Sequence, residues 1–267
     1  MSEGPPARGA RRQLLGCPLD VVDMEEAVAR CEAAIAAGEY LQQASVNAAK
    51  IVSLTEDAAL REMVAGSGLV TADGQSVVWA GWLLGVPLPE RVAGIDLMQR
   101  LLAVAARDSR RVYVLGARRE VLDTALERLR ARYPTLTIAG ARDGYYDDAE
   151  VEAVCEEIRA ARADILFVAM SSPRKEHFLG AYGASLGVGF AMGVGGSIDV
   201  IAGVTRRAPR LLQRLGLEWA YRLAQEPRRL AGRYLRTNAR FAWMVLRALI
   251  TRRGSEGGGA GPSGRAA

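Results

Sequence analysis

Five places along the chain put small polar or acidic residues where an apolar run stops: Ser45 with Asn47, Asp73, Gly116, Ser171 with Ser172, and the Gly193–Ser197 loop followed by Asp199. In open α/β sheets ligands bind beyond the carboxyl ends of the strands, because neighbouring loops separate there and helix N-termini point into the gap. Asp73 is the sharpest of these positions. Asp-Gly is a common turn signal, and the dipeptide alone favours a plain turn. At the mouth of a sheet, with no histidine nearby to do the work, the same carboxylate suits a general base that takes a proton from a hydroxyl.

Other chemistries find less support. Gly193-Val-Gly-Gly196 invites a dinucleotide-binding reading, but the third glycine of G-x-G-x-x-G would fall at Ile198, so the fingerprint fails. A loop of small residues close to a phosphate or a base edge remains, without any nicotinamide. One histidine (His177), three separated cysteines (Cys17, Cys31, Cys155) and no Asp-x-Asp pattern leave no metal-ligand set, so neither metal nor cofactor is expected. If a diphosphate leaves in the reaction, arginines would have to neutralise it. The cysteines read as buried small hydrophobes of a reduced cytoplasm.

The elements that must position these residues alternate. The first helix is expected from Met24 to about Ala36, with Asp23 as N-cap and Gly38 past its end. A strand near Tyr40–Val46 follows, then helical segments to about Glu62 and an apolar run Leu69–Thr71 that stops before Asp73. Next come the strand Arg111–Gly116, the helix Glu120–Tyr133, a strand Leu136–Ala139, the helix Asp148–Ala161 and a strand Asp164–Met170. Pro173 suits a first helical position, and Phe190–Met192 is the last strand. This alternation predicts an α/β class with a Rossmann-like, largely parallel sheet flanked by helices.

Charge divides the chain unevenly. Residues 206–253 hold 13 arginines against Glu218 and Glu226, a net +11; taking 11 from the overall +5 leaves −6 for the rest. Such asymmetry marks a polyanionic partner. Lys50 and Lys175 are the only lysines, so arginine is the chain's habitual cation, but that does not explain why acids vanish from this segment. Pro209 and Pro227 punctuate two helix candidates. Leu211, Leu215, Trp219 and Leu223 repeat along the first. In the second, Arg229, Arg233, Arg236 and Arg240 share a face distinct from Leu230, Tyr234, Phe241 and Val245. The expected division is a disordered tail over 1–12, an α/β core over 13–205, a basic amphipathic helical appendage over 206–250 suited to a membrane surface, and a disordered tail over 251–267. No secretory signal is read, and no run approaches the roughly 20 apolar residues of a membrane span.

The order of motifs resembles the WecG/TagA/CpsF glycosyltransferase family over roughly Leu14 to Leu235. Asp73-Gly-Gln-Ser-Val-Val-Trp79 resembles its D-G-x-x-hydrophobic-hydrophobic-W segment, and Arg91-Val-Ala-Gly-Ile-Asp96 its R-V-x-G-x-D. Ser172-Pro-Arg-Lys-Glu176 is similar to S-P-[KR]-Q-E, and Gly193-Val-Gly-Gly-Ser-Ile-Asp199 to G-V-G-[GA]-x-[FIL]-D. The stretch from Arg207-Ala-Pro to Glu226-Pro-Arg-Arg229 is similar to the family's tail.

The resemblance implies an inverting, metal-independent transferase. It would move a sugar (N-acetylmannosamine-type, uronic acid or hexose) from a UDP donor to a polyprenyl-diphosphate-linked acceptor on the cytoplasmic membrane surface, in cell-envelope or exopolysaccharide synthesis. By the same resemblance Asp73 is the base, with Asn47 and Ser45 beside the reacting sugar. Arg91 helps with the diphosphate, and Tyr145 and Asp199 contact the nucleoside. Ser172, Lys175, Gly195 and Gly196 line the substrate site, while Arg222 and Arg229 fold over it to stabilise departing UDP. A homo-oligomer formed through the core is compatible with the family, though no residue decides it. Two positions depart from the pattern. Ser45 replaces a usual Thr and keeps the hydroxyl. Lys175 replaces a usual Gln, which fits either a different, acidic donor sugar or a cation that has taken over phosphate neutralisation. Two other classes compete. A nucleic-acid binder would explain the basic tail, but the core lacks aromatic stacking platforms, so no nucleic-acid partner is expected. A nicotinamide oxidoreductase lacks its glycine fingerprint.

Overall fold

The computed structural model describes residues 9–257, apart from the side chains at 214, 229, 230, 233 and 252–257. It opens with a short antiparallel hairpin, β1 (Arg11–Leu14) and β2 (Cys17–Asp20). Then follow α1 (Met24–Ala37), β3 (Leu41–Val46), α2 (Ala48–Glu56), α3 (Ala58–Ala65), β4 (Leu69–Ala72), α4 (Gln75–Leu83) and α5 (Gly94–Arg107). The next units are β5 (Arg111–Gly116), α6 (Arg119–Arg132), β6 (Thr137–Arg142), α7 (Val151–Ala161), β7 (Ile165–Ala169), α8 (Arg174–Tyr182), β8 (Phe190–Gly193) and α9 (Ser197–Ile201). The chain ends in α10 (Arg210–Arg214), α11 (Glu218–Gln225) and α12 (Pro227–Gly257).

Six strands form one parallel sheet in the order β4-β3-β8-β7-β5-β6. Parallel strands need crossover helices, which cover both faces, so central strands are apolar throughout; every residue of β7 is buried. One face seats α1, α5 and α6 on Val112, Val114, Ile165 and Phe167. The opposite side chains, Tyr113, Leu115, Leu166 and Val168, meet α7 and α8. β8 is the last strand made yet lies between β3 and β7, so the chain reverses its direction of travel at the sheet's middle and the loops there diverge.

Local sequence accounts for the helix ends. Asp23 caps α1 by accepting from the Glu26 amide at 2.8 Å, and Gly38 closes it in the left-handed region at φ 67°. Pro173 stands one place earlier than expected, as the residue that caps α8. α4 and α5 were not anticipated, although the buried Ile95, Met98, Leu101, Leu102 and Ala105 of α5 repeat at helical spacing.

Of the two ends read as disordered, 1–8 and 258–267 lie outside the described residues. Arg11 and Arg12, assigned to the N-terminal tail by composition, are instead in β1. Arg11 reaches the buried Asp20 through Nε at 3.1 Å and Nη2 at 2.9 Å, and donates to the Ser67 carbonyl at 2.8 Å. A basic residue with such partners is structural, and composition shows the charge without the partner. α12 likewise runs to Gly257, across the start of the stretch read as a C-terminal tail.

Candidate active site

A cavity of about 1150 Å³ opens at the carboxyl ends of β3, β4, β7 and β8. The N-terminal turns of α2, α4, α5 and α8 supply its lining through Asn47, Gly74, Gly94 and Ser172. Each such turn points the positive end of its helix dipole toward the cavity, so the floor favours an anion.

Asp73 follows β4 directly, and its own amide donates to the Val46 carbonyl at 2.8 Å, which locks it to the end of β3. Its Oδ1 accepts from the Gly94 amide at 3.2 Å. The approach is close: a Cβ on Gly94 would lie 2.9 Å from Ser45 Oγ, so a larger residue would displace that hydroxyl. Burial pushes the Asp73 carboxyl up from 3.8 to about 6; Arg91, the Gly94 amide and Arg222 pull the other way, and Glu218 adds to the rise. A carboxylate that is ionised near neutrality but more basic than usual suits proton abstraction.

Ser45, on β3, accepts from the amide of the buried Gln43 at 3.2 Å, and Gln43 also donates to Thr71 of β4 at 2.8 Å. That leaves the Ser45 hydroxyl proton for another acceptor. Asn47 caps α2 by accepting from the Lys50 amide at 3.0 Å, so its Oδ1 is engaged and its Nδ2 donor group remains.

Arginines gather on the other side. Arg91 donates to Glu218 at 2.8 Å, at the first turn of α11. Glu218 also lies 3.7 Å from Arg207 and 4.0 Å from Arg222. Arg207 grips Asp96 through two bonds of 2.6 Å, the paired geometry in which guanidinium and carboxylate are strongest. Residues separated by more than a hundred positions thus tie α11 to the loops of the sheet.

Of the residues singled out in the sequence, Ser45, Asn47, Asp73, Arg91, Ser172, Lys175, Gly195, Gly196 and Arg222 all line this one cavity. Tyr145 and Asp199 stand off it. Tyr145 is 69% exposed and interacts with Arg118, which also feels Asp199 electrostatically, so these two share a rim rather than the floor. The Arg229 side chain lies outside the described residues. Glu176, Lys50, Glu218, Arg207 and Gln43 were not assigned roles from sequence. The Ser172–Glu176 block was the signal available for Glu176; the others are legible only in space. Among the described residues no cluster of three or more His, Cys, Asp or Glu is arranged to hold a metal ion.

The mouth is apolar. Trp79, Leu83, Trp219 and Leu246 line it and are 46%, 59%, 45% and 49% exposed. Phe241 and Val245, expected on the apolar face of an interfacial helix, turn inward instead and pack on the cluster that contains α2 and α4, while Arg240 pairs with Glu56. Leu235, Trp243, Leu246 and Ile250 face outward from α12. Among the described residues no helix is long and apolar enough to cross a membrane.

Residues 12–255 match the model of a family described as the Glycosyl transferase WecG/TagA/CpsF family, which spans nearly the whole chain.

Proposed function

The chain belongs to the WecG/TagA/CpsF glycosyltransferase family, and from that premise we propose that it is an inverting enzyme moving a sugar from a UDP donor to a polyprenyl-diphosphate-linked acceptor. The observation that carries this reading is one cavity graded from a charged floor, with Asp73 and the arginines, to an exposed apolar mouth at Trp79, Leu83, Trp219 and Leu246. A lipid diphosphate sugar carries the same grading, from polar sugar to hydrocarbon.

In the proposed step an acceptor hydroxyl attacks the anomeric carbon. The bond from that carbon to the diphosphate oxygen breaks, UDP departs with the electron pair, and Asp73 takes the hydroxyl proton. A single displacement inverts the anomeric centre. Arg91 and Arg222 neutralise the leaving diphosphate once it displaces Glu218 from them, with the helix N-termini of α2, α4, α5 and α8 adding to the field and no metal required. Ser45 and Asn47 hold hydroxyls of the reacting sugar, and Ser172, Gly195 and Gly196 line its seat. Tyr145 and Asp199 meet the nucleoside at the rim.

Residues 13–205 act as the catalytic core, and 206–250 act as the appendage that completes the site and meets the cytoplasmic face of the cell membrane. Its outward residues Leu235, Trp243, Leu246 and Ile250 support that last assignment, as does the positive charge of the segment. The product would enter cell-envelope or exopolysaccharide synthesis.

The test incubates the full chain with a panel of UDP-sugars and a synthetic prenyl-diphosphate-linked sugar, read by mass spectrometry. A product heavier by one sugar residue, with UDP released, is expected. No product across the panel and no UDP binding by calorimetry would rule the reading out.

A further inference from the structure

Two polar side chains are carried into the core directly beneath the cavity. Gln43 of β3 and Thr71 of β4 are 1% and 0% exposed, among neighbours that are otherwise apolar. Residues two apart on a strand share a face, so Gln43 stands behind Ser45, and the register sets Thr71 beside Ser45 on the adjacent strand. The three meet through the Gln43 amide, whose Nε2 lies 2.8 Å from Thr71 Oγ1 and 3.2 Å from Ser45 Oγ. Of the three, Ser45 alone lines the cavity.

The arrangement costs stability. Gln43 Oε1 is buried and, among the described residues, has no hydrogen-bond partner. Such a carbonyl carries a desolvation penalty that an apolar side chain of the same shape would avoid. Turning the amide over would make matters worse: both hydroxyls would donate to the oxygen, and two N–H donors would be stranded in place of one acceptor. The N–H groups therefore point at the hydroxyls. Serine lacks the second γ-substituent that stiffens χ1 in a β-branched residue, so its hydroxyl turns freely unless something holds it. Here the amide occupies one lone pair of Ser45 Oγ, and the hydroxyl proton is left to point away from Gln43 toward the cavity. Asp73 faces the same place. A Cβ built on Gly94 would stand 2.9 Å from Ser45 Oγ and 3.7 Å from Asp73 Oδ2.

We infer that Gln43 is a positioning residue which, with Thr71, holds the Ser45 hydroxyl as a hydrogen-bond donor to the attacking hydroxyl of the acceptor sugar. One lone pair of the attacking oxygen accepts from Ser45, its O–H donates to Asp73, and its second lone pair is aimed at the anomeric carbon. No bond forms or breaks at Gln43 or Ser45; their contribution is orientation. This rests on the transferase reading above and names the buried group that sets the nucleophile's geometry.

The test uses the full chain with the UDP-sugar and prenyl-diphosphate acceptor that the wild type joins. Gln43→Met combined with Thr71→Val replaces the buried polar pair by apolar side chains of similar shape. This variant is expected to melt no lower than wild type, while kcat falls roughly tenfold and KM changes by less than about twofold. Added to Ser45→Ala, the same two changes are expected to lower kcat no further, because the residue they act through is gone. Wild-type kcat in the folded variant overturns the proposal. So does a loss that multiplies with that of Ser45→Ala. A variant that melts well below wild type, or does not fold, makes the polar pair structural and likewise overturns it. A wild type that neither binds UDP nor transfers a sugar overturns the transferase reading instead, and this proposal with it.

Discussion

Arg91 and Glu218, 127 positions apart, share a hydrogen-bonded ion pair of 2.8 Å that joins the loop before α5 to the first turn of α11. The pair controls the base without touching it. Arg91 lowers the Asp73 pKa and Glu218 raises it. Arg91→Gln should therefore move the acidic limb of the pH profile of kcat/KM to higher pH, and Glu218→Gln should move it lower. Arg91→Gln should also cut kcat/KM by roughly 10²- to 10³-fold, through the lost charge at the diphosphate. Limbs shifting in the same direction in both variants would break the link.

Asp73 itself gives two readouts of opposite sense. Its pKa of about 6 predicts that kcat/KM rises with pH through about 6, as the base loses its proton. Asp73→Asn should lower transfer by roughly 10²- to 10⁴-fold. Stability should go the other way. The folded pKa lies above the unfolded 3.8, so burial costs nothing below 3.8, costs progressively more as pH rises to about 6, and is constant beyond. Thermal melts should show Asp73→Asn more stable than wild type at pH 8 and no more stable at pH 3.5.

Glu176 has the reverse sign. Burial alone would push its carboxyl up, but Lys50 and Lys175 outweigh burial and bring the pKa from 4.5 to about 2. The stabilisation is complete above 4.5 and drains away as pH falls toward 2. Glu176→Gln, which strands two buried ammoniums, should cost about 3–5 kcal/mol at pH 7. Chemical denaturation should show that difference shrinking below pH 4.5.

Phe241, 6% exposed, anchors α12 against α2 and the cluster beneath it. Phe241→Ala should weaken that docking by about 3–5 kcal/mol. Hydrogen exchange should rise across α12 and the facing surface of α2 while β5 and β7 keep their protection. Loss of protection throughout the sheet would show that α12 is part of the same cooperative unit.

If guanidinium groups and helix N-termini neutralise the departing diphosphate, transfer should continue in excess EDTA at an undiminished rate. A loss restored by magnesium would assign part of that work to a metal.

Much of the molecule was legible in the linear chain because it depends on near neighbours. Asp23 and Gly38 mark the ends of α1, and the unbroken apolar run of β7 marks a strand covered on both faces. Asp73 could be placed at a strand end because Leu69–Ala72 stops just before it. Motif order reached the family and most of the cavity lining, since those residues lie in short blocks beside strand ends. The long-range partnerships needed the folded chain. Arg11 is bound to Asp20 and the Ser67 carbonyl rather than loose, Phe241 faces inward, and Glu218 collects Arg91, Arg207 and Arg222. The meeting of Lys50 and Lys175 on Glu176 exists because the strand order sets β3 and β7 on either side of β8, so that the helices following them begin at one cavity. Capping, periodicity and strand burial act over a few residues and leave local traces. Charge pairing across a crossover depends on which strand lies beside which, and no window of sequence contains that.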